Sequence, residues 1–122
     1  MKCFSLNCCG LGNQETVHEL HGLVKSERPK IVFLMETRLP VRSLEFIHVR
    51  LGMAGCFGVD RHGYGGGLAL LWDASASLSI KSYSNFHIDA EVLDEEGLLW
   101  RISSFYGHPE VGLRNNTWAL LR

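Results

Sequence analysis

Lys30-Ile31-Val32-Phe33-Leu34-Met35-Glu36-Thr37-Arg38 is the stretch on which the reading of the fold turns. Five apolar residues stand in a row between Pro29-Lys30 and a charged trio. The run is far shorter than the roughly 20 residues of a membrane helix. Its length and β-branched content predict a strand covered on both faces. Glu36 then abuts the run. A carboxylate in that position must emerge at the sheet edge or find a partner, because an unpaired buried charge is costly. A hard cation such as Mg²⁺ suits it, since that ion takes oxygen ligands and often only one or two protein carboxylates. The spacing leaves a second reading open, in which Glu36 starts a turn and pairs with Arg38 or Arg42.

Outward from this strand, mixed elements are predicted. Residues 2–8 form a short strand, broken by Gly10-Leu11-Gly12-Asn13. Asn13 fits a helix N-cap with Glu15 in the first turn. Val17, Leu20, Leu23 and Val24 then make one apolar stripe that Pro29 terminates. Pro40 opens a second helical stretch, with Val41, Leu44, Ile47 and Leu51 on one face and Gly52 as its stop. From residue 54 onward strands dominate, over 54–59, 68–72, 78–83, 87–93 and 98–105. In His87-Ile88-Asp89-Ala90-Glu91-Val92-Leu93 apolar positions alternate, so Asp89 and Glu91 are expected on a solvated face. Asp94-Glu95-Glu96-Gly97 reads as a charged hairpin turn. The glycines at 63 and 65–67 read as a turn or bulge, because no Gly-Lys-Ser/Thr follows them. Residues 113–122 read as helical. The fold class is thus α/β, with a mixed sheet that needs cover.

Composition narrows the function. The 122 residues are 46% hydrophobic and 20% charged, which argues for one globular domain and against disorder. Twelve Lys and Arg against 13 Asp and Glu give a net charge of −1. Bulk electrostatics therefore cannot hold a nucleic acid, and a local site would have to. No apolar leader core and no membrane span is visible, and the location expected is intracellular. Cys3, Cys8, Cys9 and Cys56 include no C-x-x-C pair and read as free thiols. His18 and His21 lie three apart on the first helix with no third ligand in view. Trp72, Trp100 and Trp118 read as core or edge anchors.

Four stretches in order carry a family resemblance: Asn7-Cys8-Cys9-Gly10-Leu11-Gly12-Asn13, Phe33-Leu34-Met35-Glu36-Thr37-Arg38-Leu39, Gly66-Gly67-Leu68-Ala69-Leu70-Leu71-Trp72 and Phe105-Tyr106-Gly107-His108-Pro109. Together they resemble the endonuclease/exonuclease/phosphatase family, the fold of deoxyribonuclease I. More narrowly, the set is similar to the N-terminal endonuclease domain of plant LINE-type, non-LTR retrotransposons. Any one motif is weak, but four in register multiply chance down. The resemblance implies a deoxyribonuclease I-like four-layer α/β/β/α sandwich, of which residues 1–122 are the N-terminal portion. It implies Glu36 as metal ligand and catalytic residue, with Asn7 and Tyr106 as catalytic and phosphate-binding residues. His108 lies in the same loop as Tyr106 and reads either as a further phosphate contact or as a solvated loop histidine. Mg²⁺ or Mn²⁺ is the implied cofactor, and DNA the implied partner. The implied reaction is hydrolysis of a phosphodiester, in relatives nicking DNA for retrotransposition, and the implied place is the nucleus.

The sequence also departs from the family. Its first motif normally carries tryptophan before the asparagine and arginine after the cysteine, where Leu6 and Cys9 stand here. A Gly-Asp-Phe-Asn motif and a Ser-Asp-His motif are not found in these residues. Loss of a general base costs about 10²–10⁴-fold in rate, so the chain is expected to be inactive alone. Such a chain should supply the first sheet and little of the second, leaving an apolar sheet face bare. A complementary C-terminal half or a downstream reverse transcriptase is the expected companion. Two other readings stand beside this one: a phosphoesterase of the same fold acting on a small phosphorylated substrate, and a non-catalytic interaction module.

Overall fold

The computed structural model describes residues 2–62, 65–106 and 117–121. Strand β2 (Ile31–Met35) lies at its centre, with all five residues buried. Both neighbours in its sheet explain this. It pairs in parallel with β1 (Cys3–Asn7) and antiparallel with β4 (Gly65–Trp72), whose other edge takes β3 (Gly55–His62). The order of this first sheet is β1-β2-β4-β3.

Alternate residues of β2 serve two different cores. Val32 and Leu34, with Ala69 and Leu71 of β4, face helices α1 (Gln14–Glu27) and α2 (Leu44–Leu51) and pack on Val17, Leu20, Val24, Leu44, Ile47 and Leu51. Ile31, Phe33 and Met35, with Leu68 and Leu70, face the other way onto a second sheet. That sheet comprises β5 (Ser77–Tyr83), β6 (His87–Leu93), β7 (Leu99–Phe105) and β8 (Thr117–Leu121), all antiparallel in chain order. Ile88, Ala90, Val92 and Ile102 are its inward side chains. The described residues therefore form three layers, helices on sheet on sheet, in a mixed α/β arrangement.

The helices end as the sequence leads one to expect. The Asn13 side chain accepts a hydrogen bond from the Glu15 amide at 2.8 Å. Arg28 closes α1 in a left-handed conformation, and Gly52 does so for α2. A 3-10 turn, Val41–Ser43, follows Pro40 and leads into α2.

Four expectations are corrected. The second sheet has four strands, so the face of the first sheet is covered rather than bare. Part of the stretch read as helical is strand β8, paired to β7 from Arg101↔Leu121 to Phe105↔Thr117. Propensity within Trp118-Ala119-Leu120-Leu121 gave way to an open sheet edge. The strands expected over 54–59 and 68–72 reach further, to His62 and back to Gly65. Asp89 is 8% exposed rather than solvated. Arg101 clasps it with two hydrogen bonds, 3.1 and 2.6 Å, and Ser103 adds a third at 3.0 Å. The Arg101 pair, ahead of the opposing cost of burial, holds its carboxyl below the usual value.

Asp94, read as part of a charged turn and nothing more, has a further role. It accepts from the amides of Glu96 and Leu98, both at 2.9 Å, and from Trp100 Nε1 at 2.8 Å. Trp72 and Trp100 do pack on the inter-sheet core. Cys3, Cys8 and Cys56 are half-buried free thiols, whereas Cys9 is exposed.

Candidate functional site

The C-terminal ends of β1 and β2 lie side by side. Their register pairs Asn7 with Met35, and the Cys8 amide donates to the Met35 carbonyl at 2.9 Å. Beyond this point the chains stay joined: Gly10 N–H donates to Glu36 O at 2.7 Å and Leu11 N–H to Thr37 O at 2.9 Å. Glu36 leaves the strand in a left-handed conformation, φ 54°. That turn sends the carboxylate toward the second sheet.

There the carboxylate meets three donors. Tyr106, just past the end of β7, donates its hydroxyl to Glu36 Oε1 at 2.6 Å. Gly66 N–H donates to Oε2 at 3.1 Å, and Arg38 Nε to the same oxygen at 3.3 Å. The Glu36 side chain is 14% exposed. Burial alone would raise its pKa, but these donors outweigh burial and hold the carboxyl below the ordinary glutamate value. Tyr106 shows the other side of the same contact. Burial first, and then the Glu36 charge, push its phenol up to about 12. At neutral pH the pair is therefore carboxylate and neutral phenol.

Asn7 sits exposed at the end of β1. Its Oδ1 accepts from the Cys9 amide at 3.0 Å and from the Cys9 thiol at 3.4 Å. The backbone donor fixes which end of the carboxamide is oxygen. The amide nitrogen consequently points outward as a donor. Of the residues singled out from the sequence, Glu36 and Tyr106 are in contact and Asn7 is one strand away. His108 lies outside the described residues.

Arg38 pairs with Glu36, as the plain reading of the sequence allowed, and it does so inside the site. Gly66 was missed. Its signal was present as Gly65-Gly66-Gly67, which reads locally as a turn, and only the fold brings its amide to a carboxylate 30 residues away. Thr37 was missed too. It is fully buried between two site residues. A cleft of about 290 Å³, lined in part by Lys30, Ser75, Asp94 and Glu95, is at the opposite end of β2 and touches none of these groups.

Some solved structures are similar over part of their length. A 3′ phosphatase, NExo from Neisseria, bound to product DNA hairpin, is similar at TM-score 0.48 and 17% identity, over 75% of this chain and 37% of that one. TDP2 from Caenorhabditis elegans is similar at TM-score 0.43 and 19% identity, over 95% and 33% of the two chains. The AP endonuclease LMAP from Leishmania major is similar at TM-score 0.44 and 18% identity, over 96% and 38%. The chain thus spans between a third and two-fifths of the length of each. No protein-family model matches it, and no curated protein does. No helix among the described residues is long and apolar enough to cross a membrane.

Residues suited to a divalent ion are few. Among the described residues no group of three His, Cys, Asp or Glu side chains lies close enough to hold a metal. Glu36 can offer one hard oxygen donor, since Oε1 accepts from Tyr106 alone and keeps a lone pair, whereas Oε2 already accepts from Gly66 and Arg38. That fits a magnesium-type ion, which fills most of its shell with water and substrate oxygens. It does not fit zinc, which takes three or four protein ligands.

Proposed function

We propose that residues 1–122 are the N-terminal portion of a phosphodiesterase domain of the endonuclease/exonuclease/phosphatase kind, acting on DNA, with Glu36 as its metal-binding carboxylate. One observation carries the reading: Tyr106 O–H meets Glu36 Oε1 at 2.6 Å across two sheets and 70 residues of sequence. The four motifs that suggested the family lie far apart in the chain, and each contributes one residue, Asn7, Glu36, Gly66 and Tyr106, to one end of the sandwich.

In this reading, Glu36 holds Mg²⁺ or Mn²⁺, which would polarise the phosphodiester and offset its developing charge. Tyr106 stays neutral up to high pH, so its single O–H, held on Glu36 here, would be the donor to a phosphate oxygen once a cation took its place on that carboxylate. Asn7 anchors its oxygen on Cys9 and offers its amide N–H groups to the same anion. Arg38 supplies positive charge beside the carboxylate. His108 adds a phosphate contact. Donors and the carboxylate are thus divided between anion and cation. A domain of net charge −1 can engage a polyanion through such a local site.

The retroelement endonuclease is the branch we favour, with the nucleus as its place of action. Inactivity of the 122 residues alone is part of the proposal. No residue in the chain matches the motifs that supply the general base, so a complementary C-terminal half or a downstream reverse transcriptase is the expected companion.

The test is Mn²⁺ titration followed by paramagnetic broadening of amide signals. Broadening should concentrate on Asn7, Glu36, Gly66 and Tyr106 and vanish in Glu36→Gln. Uniform broadening, or broadening that survives the substitution, would falsify the metal assignment. A supercoiled-DNA nicking assay with Mg²⁺ checks the second half. Cleavage that is lost in Glu36→Ala would overturn the claim that the chain is inactive by itself.

A further inference from the structure

Glu36 and Arg38 both adopt φ 54°, a left-handed conformation that L-residues with side chains rarely take. Thr37 lies between them, and its whole surface is buried. Its hydroxyl has no hydrogen-bond partner among the described residues. Buried, unpaired hydroxyls are uncommon and call for a reason.

The neighbouring turn supplies one. Gly66 and Gly67 are also left-handed, at φ 82° and 92°. Thr37 N–H donates to Gly67 O at 3.1 Å, and Arg38 N–H to Gly66 O at 2.9 Å. A Cβ placed on Gly67 would come within 2.3 Å of Thr37 Oγ1. The threonine side chain therefore fills the space that glycine leaves empty. The same crossing presents Gly66 N–H to Glu36 Oε2. Thr37 O is in turn held by Leu11 N–H, which ties the crossing to the chain leaving β1.

We propose that Thr37 is a positioning residue: its side chain, wedged against Gly67, holds Glu36 and Arg38 left-handed and so aims the Glu36 carboxylate at Tyr106 and Gly66. Shape, not hydrogen bonding, does this: the hydroxyl meets no partner among the described residues, and its contact is with the Gly67 backbone. The proposal deepens the reading of Glu36 as the working carboxylate and rests on that reading only for the use made of it.

The test compares Thr37→Val, Thr37→Ala and Gly67→Ala in the full chain by NMR. The readouts are the Gly66 amide proton shift, the Glu36 carboxylate carbon shift and the Overhauser contact between the Tyr106 ring and the Glu36 side chain. Valine puts a methyl where the hydroxyl was. It should keep all three signals and melt no lower than the parent. Alanine at 37 should move both shifts toward solvent-exposed values and reduce the Tyr106–Glu36 contact by at least about half, with the rest of the amide spectrum unchanged. Gly67→Ala should produce the same displacement from the opposite side. It also keeps the idea refutable if Thr37→Ala does not fold.

Parent-like signals in Thr37→Ala or Gly67→Ala would overturn the proposal. So would displacement in Thr37→Val, which would mean that the hydroxyl itself is used. No metal or activity enters these measurements. A failed Mn²⁺ titration therefore leaves Thr37 standing, and a failed Thr37 series leaves the metal site standing.

Discussion

Replacing Tyr106 by phenylalanine removes one oxygen and keeps the ring, so almost no cavity is created. What is lost is the 2.6 Å hydrogen bond to a carboxylate that is only 14% exposed. A bond to a charged partner is worth about 1.5–3 kcal/mol. The displaced phenol gives a second bound: moving from 10.0 to about 12 corresponds to about 2.7 kcal/mol at 1.36 kcal/mol per unit. Burial is the largest cause of that displacement, ahead of the bond, and solvent reaches the pair. The expected loss at neutral pH is therefore about 1–2 kcal/mol. Urea denaturation should show a lower midpoint with an unchanged slope. The Glu36 carboxyl should titrate at higher pH in the variant, since the strongest donor lowering it has gone. A loss under about 0.3 kcal/mol with an unmoved Glu36 titration would show that the contact is not formed in solution, and the site argument would fall with it.

Other outcomes follow from the same structure. The Tyr106 phenol, raised in the folded state, contributes stability that is complete below pH 10 and disappears as pH rises through about 12; at pH 10 an ordinary tyrosine is half ionised and Tyr106 only about 1%, which tyrosinate absorbance against Tyr106→Phe will read. Asp89 is lowered in the folded state, so its contribution is present above the ordinary aspartate value and lost as pH falls through the lowered one. Asp89→Asn should be less stable at neutral pH, and its stability should depend less on pH in the acid range, as thermal melts across pH will record. Phe33→Ala, at a fully buried position between the sheets, should cost about 3–5 kcal/mol by urea unfolding. With a thiol reagent one cysteine should react fast and three slowly, because burial raises Cys3, Cys8 and Cys56 to about 11–12 while Cys9 is exposed. Cys9→Ser should abolish the fast phase.

Legibility in the sequence followed the range of the interactions. Ile31 through Met35 could be read as a doubly covered strand, because an unbroken apolar run has few other uses in a chain of this kind. Asn13 and Gly52 could be read as helix ends, since capping is decided within four residues. Asp89 could not. Its alternation with Ile88 and Ala90 is correct for an outward face, but its burial depends on Arg101, which sits across the ladder on the next strand. Trp118-Ala119-Leu120-Leu121 shows the same limit, as its strand character comes from the edge of β7 and not from its own pattern. The site divides in the same way. Position marked Asn7, Glu36 and Tyr106, each falling at the end of a predicted strand. Gly66 is a backbone donor, and no property of its side chain could mark it.

The strain and the hydrogen bonds around Glu36 belong to one balance. Two left-handed non-glycine residues cost about 1–3 kcal/mol each, and an unpaired buried hydroxyl adds about 1–3 kcal/mol. Against this stand three donors to a single carboxylate and a ladder of backbone bonds tying 10–11, 36–38 and 66–67 together. A chain that needed only to end a strand could do so more cheaply with Gly at 36 or Val at 37. The arrangement does what neither would: it holds a charged oxygen pair against a neutral phenol, beside the Arg38 guanidinium and one strand from Asn7. Glu36→Gly gives the sharpest check of this balance. It should relieve the backbone strain and remove the acceptor together, so its urea midpoint should change by less than that of Glu36→Ala, which removes the acceptor and keeps the strain. A glycine variant less stable than the alanine one would mean that the left-handed turn costs nothing, and that Glu36 is where it is for packing alone.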